Sequence, residues 1–367
     1  MNNFGSNAAA MAHNSKPGVI PPVGTSVPNQ GSKLLTDLET VIQTGLLDPN
    51  VLAQHMSTIS LHDSNSEAIR EVQVRGMLKF HEGKRCTLDV ALRTDSGWQS
   101  LIAKVYRKDR SDVFQAMKGI RASGFGQRDE FSIPHPAGYS PSLRCLLQEK
   151  VEGAPADDIF KTGNDAARSG AAEGCALWLA RFHAQAPKAG PISHPKDFVS
   201  SKPMERWSRK IARLEGRLGD RASQLFKRVS NASGSLADVE LKAGHGSYNA
   251  AHVYLSKHRT VTIDWDWHDI ADPARDVARF LYALRRWALD QLGSIRSLDR
   301  EAKIFITTYR TVGAPLAEEN LRFFAATTCL NLAVRHLFDE GFIWQERQDK
   351  AAVMLDEGLT ILDGGNI

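Results

Sequence analysis

The densest run of chemically capable side chains in this chain is HGSYNAAHVYL, His245 to Leu255, followed by TIDWDWHD, Thr262 to Asp269. Three chemistries use such residues. His245, His252, Asp264 and His268 are of the types that bind zinc or iron, and Ser247 could border a bound water. A serine on a tight turn becomes a nucleophile when set as G-x-S-x-G. A carboxylate at a strand end can hold Mg²⁺, which prefers hard oxygen donors and bridges phosphate oxygens. The transition-metal reading lacks H-E-x-x-H or any similar helix-borne pair. The nucleophile turn fails on spacing, because Gly246 directly precedes Ser247 and Asn249 stands where the second glycine should be. The phosphate-handling reading depends on the elements that position these residues.

Around the cluster, HVYL and TVTIDW read as two short strands bridged by SKHR. Directly behind comes DPARDVARFLYALRRWALDQLG, Asp272 to Gly293. It carries Asp272 as N-cap, Pro273 at the first helical position, a stripe of Val277, Phe280, Leu281, Leu284 and Ala288, and a closing Gly293. The preceding half is helical as well, in AAEGCALWLARFHA (Ala171–Ala184) and MERWSRKIARLEGRL (Met204–Leu218). Further upstream the period changes to two. Leu88, Val90 and Leu92 alternate with Thr87, Asp89 and Ala91, and a TDSG turn leads into WQSLIAKVY, predicting an antiparallel hairpin. GMLKF precedes it as another strand, joined through HEGKR. The helix SDVFQAMKGIRASGF and the strand RCLLQEKVEG complete this first half.

The bulk composition sets bounds on partners. A chain of 367 residues has ample core for two lobes, and 42% hydrophobic with 24% charged residues is ordinary for a globular protein. A net charge of +4 does not call for nucleic acid and is compatible with an anionic small substrate. Cys86, Cys145, Cys175 and Cys329 form no C-x-x-C pair, so they are expected to be reduced and buried. No apolar run approaches the ~20 residues of a membrane helix, and no secretory signal is evident, so a cytoplasmic location is expected. Between Lys202 and Arg228 nine Lys or Arg face three Asp or Glu. Trp207, Ile211, Leu214 and Leu218 give this stretch an apolar seam, the pattern of a packed helix with a solvated basic face.

Sheet-rich first, helical second, with His and Asp on a strand pair between helices, is the order of a protein kinase-like fold. The frame His245-Gly246-Ser247, then His252, then Ile263-Asp264-Trp265-Asp266 with DPARDVA behind it resembles the aminoglycoside phosphotransferase and choline kinase-like family. The usual text of that family is H-G-D, four residues, an Asn, and I-D-[WF]-[DE]. ALWLARFHAQAP likewise resembles its L-x-x-L-H helix. The resemblance covers roughly residues 75 to 340 and implies an α+β bilobal fold with an antiparallel-sheet N-lobe and a mainly helical C-lobe. The expected divisions are a disordered tail (1–32), a helical preface (33–74), a nucleotide-binding N-lobe (75–150) and a helical C-lobe with the catalytic loop and substrate region (151–367).

The same resemblance assigns roles. ATP and Mg²⁺ are the implied cofactors, and a small molecule bearing a hydroxyl is the implied acceptor. Lys104 in LIAKVY becomes the α/β-phosphate lysine, the alternative being a surface lysine on an edge strand. Gly83, Lys84 and Arg85 form a candidate phosphate-covering turn, the alternative being a solvated basic hairpin turn. Adenine would meet the backbone from Gln148 through Glu149 to Val151. Asp264 becomes the metal-binding carboxylate, Asp266 its support directly or through water, and Asp276 the anchor of the catalytic loop. Two positions depart from the pattern. Ser247 stands where the family has its catalytic Asp, and a hydroxyl cannot accept a proton at neutral pH as a carboxylate can. His252 stands where it has its Asn ligand, and a nitrogen donor suits Mg²⁺ poorly. Asn249 could supply an oxygen, and His245 supports the loop. Two expectations follow: a small-molecule kinase with an altered loop, or a pseudokinase that keeps the fold as a nucleotide-binding or regulatory module.

Overall fold

The computed structural model describes residues 69–81, 83–198, 201–338 and 344–365, with Met56, Ile59 and Leu61. The tail expected over 1–32 and nearly all of the expected helical preface lie outside the described residues. The chain divides into two compact units, Met1–Ser111 with Pro136–Lys150, and Asp112–His135 with Val151–Ile367.

The first unit is an antiparallel sheet ordered β1-β2-β3-β6-β5, built from β1 (Glu71–His81), β2 (Arg85–Thr94), β3 (Gly97–Tyr106), β5 (Pro136–Ser140) and β6 (Cys145–Glu149). The alternation that predicts β2 places Leu88, Val90 and Leu92 in its core, against Leu101, Ala103 and Val105 of β3. The turn before β3 closes with Thr94 opposite Gly97. β1 runs longer than GMLKF suggests, with irregular register at Val74/Gly76 and Met77/Lys79. Such bulges erase the strict alternation by which a strand is recognised. The four cysteines are free and buried, and burial pushes the Cys86 thiol up to about 11.

The second unit begins with α1 (Ser111–Ala122) and β4 (Phe131–Ser132). Residues 112–135 group with this unit rather than with the sheet, because they are stitched into its interior. Phe125 packs against Trp178 and Phe182, and β4 pairs in parallel with β11 (Thr260–Thr262). Its helices are α2 (Ala156–Thr162), α3 (Asp165–Gln185), α4 (Lys202–Ile211), α5 (Gly216–Ala232), α6 (Pro273–Leu292), α7 (Asp299–Val312), α8 (Glu318–Phe338) and α9 (Trp344–Leu362).

The single helix expected over Met204–Leu218 is two. α4 stops at Ile211 and α5 starts at Gly216, whose φ of +67° is left-handed backbone. The apolar seam is therefore interrupted: Trp207 and Ile211 are buried, whereas Leu214 and Leu218 are only half-buried. α6 follows its local chemistry closely. The Asp272 carboxylate accepts from the Ala274 N–H at 2.8 Å, Pro273 opens the helix, and Gly293 ends it at φ +79°.

Candidate active site

The HGSY segment is held between short strands. β9 (Lys242–Gly244) leads into it, and β12 (Asp269–Ala271) pairs with β9 in antiparallel register, Asp269 opposite Gly244. β10 (Val253–Leu255) follows the loop and pairs with β11, Val253 opposite Thr262, through the Ser256–Arg259 turn. Two members of the motifs are core anchors rather than reacting groups. Tyr248 is fully buried, stacks on Trp178 at 5.7 Å and donates to the Cys175 carbonyl at 2.7 Å. Trp265 lies 5.2 Å from Phe182 and 4.7 Å from His245 between ring centroids. Each such aromatic pair is worth ~0.5–1.5 kcal/mol beyond its buried area, so the loop is fixed from beneath. Gly246 has φ +74°, and a Cβ there would collide with the Trp267 carbonyl oxygen. No other residue type lets the loop pass so close to the turn after Asp264.

Behind the loop lies Asp276, on the first turn of α6 and 1% exposed. Its two oxygens accept from the backbone N–H groups of His245 at 2.7 Å and Gly246 at 3.0 Å. The His183 Nε2 stands 3.5 Å from the same carboxylate, and its Nδ1 lies 2.7 Å from the Tyr309 hydroxyl. A ring nitrogen facing a carboxylate carries the proton, so Nδ1 accepts from Tyr309. Burial alone would raise the Asp276 pKa. The His183 contact and the charges of Arg275, His183 and His245 outweigh it and hold the carboxyl well below the usual carboxylate range. His183 and Tyr309 were missed as loop anchors by residue-type reasoning. The L-x-x-L-H likeness carried His183 without a role, and Tyr309 lies 126 residues away from it.

On the front of the loop, His245 fixes its own tautomer. Nε2 lies 2.9 Å from the Ile263 carbonyl, which can only accept, so Nε2 bears the hydrogen. The remaining nitrogen, Nδ1, receives the Ser247 backbone N–H at 3.3 Å and the Ser247 hydroxyl at 3.2 Å. The same hydroxyl lies 3.5 Å from the Asp264 carbonyl oxygen, and among the described residues no carboxylate is a hydrogen-bond partner of Ser247. Burial holds the His245 imidazole below its ordinary pKa, against the upward pull of Asp276, the Ile263 carbonyl and Asp264.

His252 is oriented by Asn249. The Asn249 Oδ1 accepts from Ala251 N–H at 3.0 Å, which turns Nδ2 toward the Ser247 carbonyl at 2.8 Å and His252 Nδ1 at 3.1 Å. His252 Nδ1 is therefore an acceptor. Its Nε2–H faces the Asp264 carboxylate at 3.6 Å. Asp264 follows β11, precedes a 3-10 turn over Trp265–Trp267 and adopts φ +68°, ψ +65°, left-handed backbone rare for a residue other than glycine.

The remaining expected residues take these positions. Lys104 sits on β3, a central strand flanked by β2 and β6, with Thr87 and Leu146 as register partners. It is 6% exposed, so it is neither on an edge strand nor at the surface. Gly83 turns between β1 and β2 at φ +63°, with Lys84 exposed beside it and Arg85 opening β2 opposite His81. Glu149 ends β6, and Val151 opens the longer of the second unit's two stretches of chain. Asp266 lies half-buried within the turn after Asp264. Among the described residues no group of three or more His, Cys, Asp or Glu side chains is placed to hold a metal ion. Among the described residues, too, no helix is long and apolar enough to cross a membrane.

A five-stranded antiparallel sheet, a helical unit, and an H-G loop followed by a strand-end Asp define a protein kinase-like architecture. A family model described as "Phosphotransferase enzyme family" matches residues 87–309, more than half of the chain, and the protein belongs to this family. Solved structures share the fold at low identity. A choline/ethanolamine kinase family protein from Mesorhizobium loti is 12% identical, with TM-score 0.53, over 76% of this chain and 90% of that one. Aminoglycoside phosphotransferase APH(4)-Ia is 14% identical, with TM-score 0.54, over 80% and 95%. A thermostable mutant of it, solved as a ternary complex with ADP and hygromycin B, is 14% identical, with TM-score 0.54, over 80% and 96%. No curated protein matches the chain.

Proposed function

We propose that this protein is an ATP-dependent phosphotransferase acting on a hydroxyl of a small molecule, with Lys104 as the phosphate-binding cation and Asp264 as the carboxylate for Mg²⁺. The observation that carries the reading is Asp264 itself. Left-handed backbone at a residue other than glycine costs ~1–3 kcal/mol, and such strain persists where a side chain must be aimed. The buried Lys104 supports it, since a desolvated ammonium is retained only with compensating partners. Gly83, Lys84 and Arg85 would cover phosphates, and the backbone around Glu149 and Val151 would meet the base.

The donor set suits Mg²⁺ through oxygen. Asp264 supplies one carboxylate and Asp266 a second directly or through water, in keeping with an ion that takes few protein ligands beside phosphate oxygens. When bound, the ion would neutralise charge on the transferred phosphoryl group. His252 does not fit as a ligand, because Asn249 holds its Nδ1 as an acceptor and so leaves a hydrogen on the Nε2 that faces Asp264. In this reading His252 donates to the Asp264 carboxylate and orients it.

A second reading, a nucleotide-binding module without turnover, is favoured by one observation: among the described residues Ser247 has no carboxylate partner to receive an acceptor's proton. The two separate by experiment. Thermal shift with ATP and MgCl₂ is expected to show binding, and ATP consumption is expected against a panel of sugars, amino alcohols and nucleosides. Asp264→Ala should abolish consumption. Binding without consumption of any acceptor would move the protein to the second reading, and no binding would remove both.

A further inference from the structure

The position of the family's catalytic carboxylate is filled by a hydroxyl that is hydrogen-bonded to an imidazole, and the polarity of that bond is fixed. We propose that Ser247 and His245 together do the work of the missing base. Ser247 Oγ receives the proton of the acceptor hydroxyl while passing its own to His245 Nδ1. The inference rests on the phosphotransferase reading above.

Three observations carry it. Nε2 of His245 is committed to the Ile263 carbonyl, so Nδ1 is the ring's lone-pair nitrogen and has the Ser247 hydroxyl within 3.2 Å. The other oxygen near that hydroxyl is the Asp264 backbone carbonyl at the longer distance of 3.5 Å, which cannot take up a proton. The ring is wholly buried and so unhydrated, while the Asp276 carboxylate, which bonds the backbone N–H of His245, supplies negative charge for a transient imidazolium. Burial keeps the imidazole neutral in the resting protein, as a proton acceptor must be.

The step balances. The acceptor oxygen forms a bond to the γ-phosphorus, and the bond from that phosphorus to the β,γ-bridging oxygen breaks with its electron pair leaving on ADP. The acceptor's proton moves to Ser247 Oγ and the Ser247 proton to His245 Nδ1. After product leaves, His245 Nδ1 returns its proton to Ser247 Oγ, and Ser247 releases one proton to the water that refills the site. Ser247 is the catalytic residue here, because it touches the acceptor, and His245 acts through it.

The test uses the full chain with Mg-ATP and water as the acceptor, reading ADP release. Two variants keep part of His245's hydrogen bonding without its basicity. His245→Asn places an amide oxygen near the Nδ1 position, and His245→Gln places an amide N–H near the Nε2 position. Each is expected to lower kcat at least tenfold at unchanged KM for ATP. In the Ser247→Asp background, where a carboxylate takes the proton directly, the same substitutions are expected to change kcat less than twofold. Equal losses in both backgrounds, or rescue of kcat by Asn or Gln, would show a purely structural imidazole and overturn the proposal. An independent readout needs no turnover. Long-range ¹H–¹⁵N spectra of the protein without nucleotide should show His245 with the proton on Nε2, and an Nδ1 resonance that moves in Ser247→Ala. A proton on Nδ1 would overturn the relay. ADP release that Ser247→Ala and His245→Gln leave unchanged would overturn the relay alone, and wild-type protein that binds ATP without releasing ADP to water or to any acceptor would overturn the relay together with the turnover reading beneath it.

Discussion

Behind the HGSY loop, the Asp276 carboxylate meets two backbone N–H groups and faces His183, itself bonded to Tyr309, all in a fully buried setting. In front of the loop, Ser247 and His252 are joined to imidazole, amide and carbonyl partners. The contrast separates what shapes the loop from what reacts on it. Loop geometry depends on Asp276, Gly246, Tyr248 and Trp265, none of which has to touch a substrate. The front positions, assigned to chemistry only by the proposed function, are therefore free of the burden of holding the backbone frame.

Removing Asp276 should have the largest effect. Breaking a buried, paired charge costs ~3–5 kcal/mol, since the uncompensated partners stay behind. Asp276→Ala is expected to lose that much in urea unfolding, and a loss below ~1 kcal/mol would show that the rear of the loop is not its foundation. Gly246→Ala comes next. Left-handed backbone costs an alanine ~1–3 kcal/mol, and the Trp267 carbonyl must also retreat from the added Cβ, so destabilisation at or above that range is expected in the same assay.

The two sides also separate on a pH axis. The folded pKa of His245 is lowered, so the unfolded chain binds its proton first as pH falls. Stability from this residue is thus complete above the unfolded value of about 6.5 and declines below it, at up to ~1.4 kcal/mol per pH unit. Asp276 is depressed as well, and its contribution is present above about 3.9 and is lost as pH falls further toward its folded value. Urea midpoints measured from pH 8 to 3 should show two successive declines, and His245→Gln should remove the upper one alone. An upper decline that survives this substitution would place its origin elsewhere.

How far the sequence reaches follows the same division. α6 was legible to the residue because Asp272, Pro273 and Gly293 act through local backbone chemistry, and the β10–β11 hairpin because its turn and strands are contiguous. The strands β9 and β12 that clasp the loop have three residues each, too few for a period to show. The grouping of residues 112–135 with the helical unit depends on Phe125 meeting Trp178 and on β4 meeting β11, contacts made far along the chain. At the site, residue types single out Asp264, Ser247 and His252. The partners of the latter two, His245 Nδ1 for Ser247 and Asn249 for His252, are fixed by ring tautomers that only a folded hydrogen-bond pattern defines.

The smallest expected effect is at Ser247, and it tests the front of the loop from the side of stability. A buried hydrogen bond is worth ~0.5–1.5 kcal/mol, and most of the cost of deleting one comes from a partner left unsatisfied. Ser247→Ala leaves no such partner. His245 Nδ1 keeps the backbone N–H of residue 247 at 3.3 Å, and the Asp264 carbonyl loses only a 3.5 Å neighbour. The variant should therefore unfold within about 0.5 kcal/mol of the parent in urea, far from the loss expected for Asp276→Ala. A loss comparable to that of Asp276→Ala would mean that the hydroxyl holds the loop as the rear carboxylate does, and the distinction between shaping and reacting groups would fall.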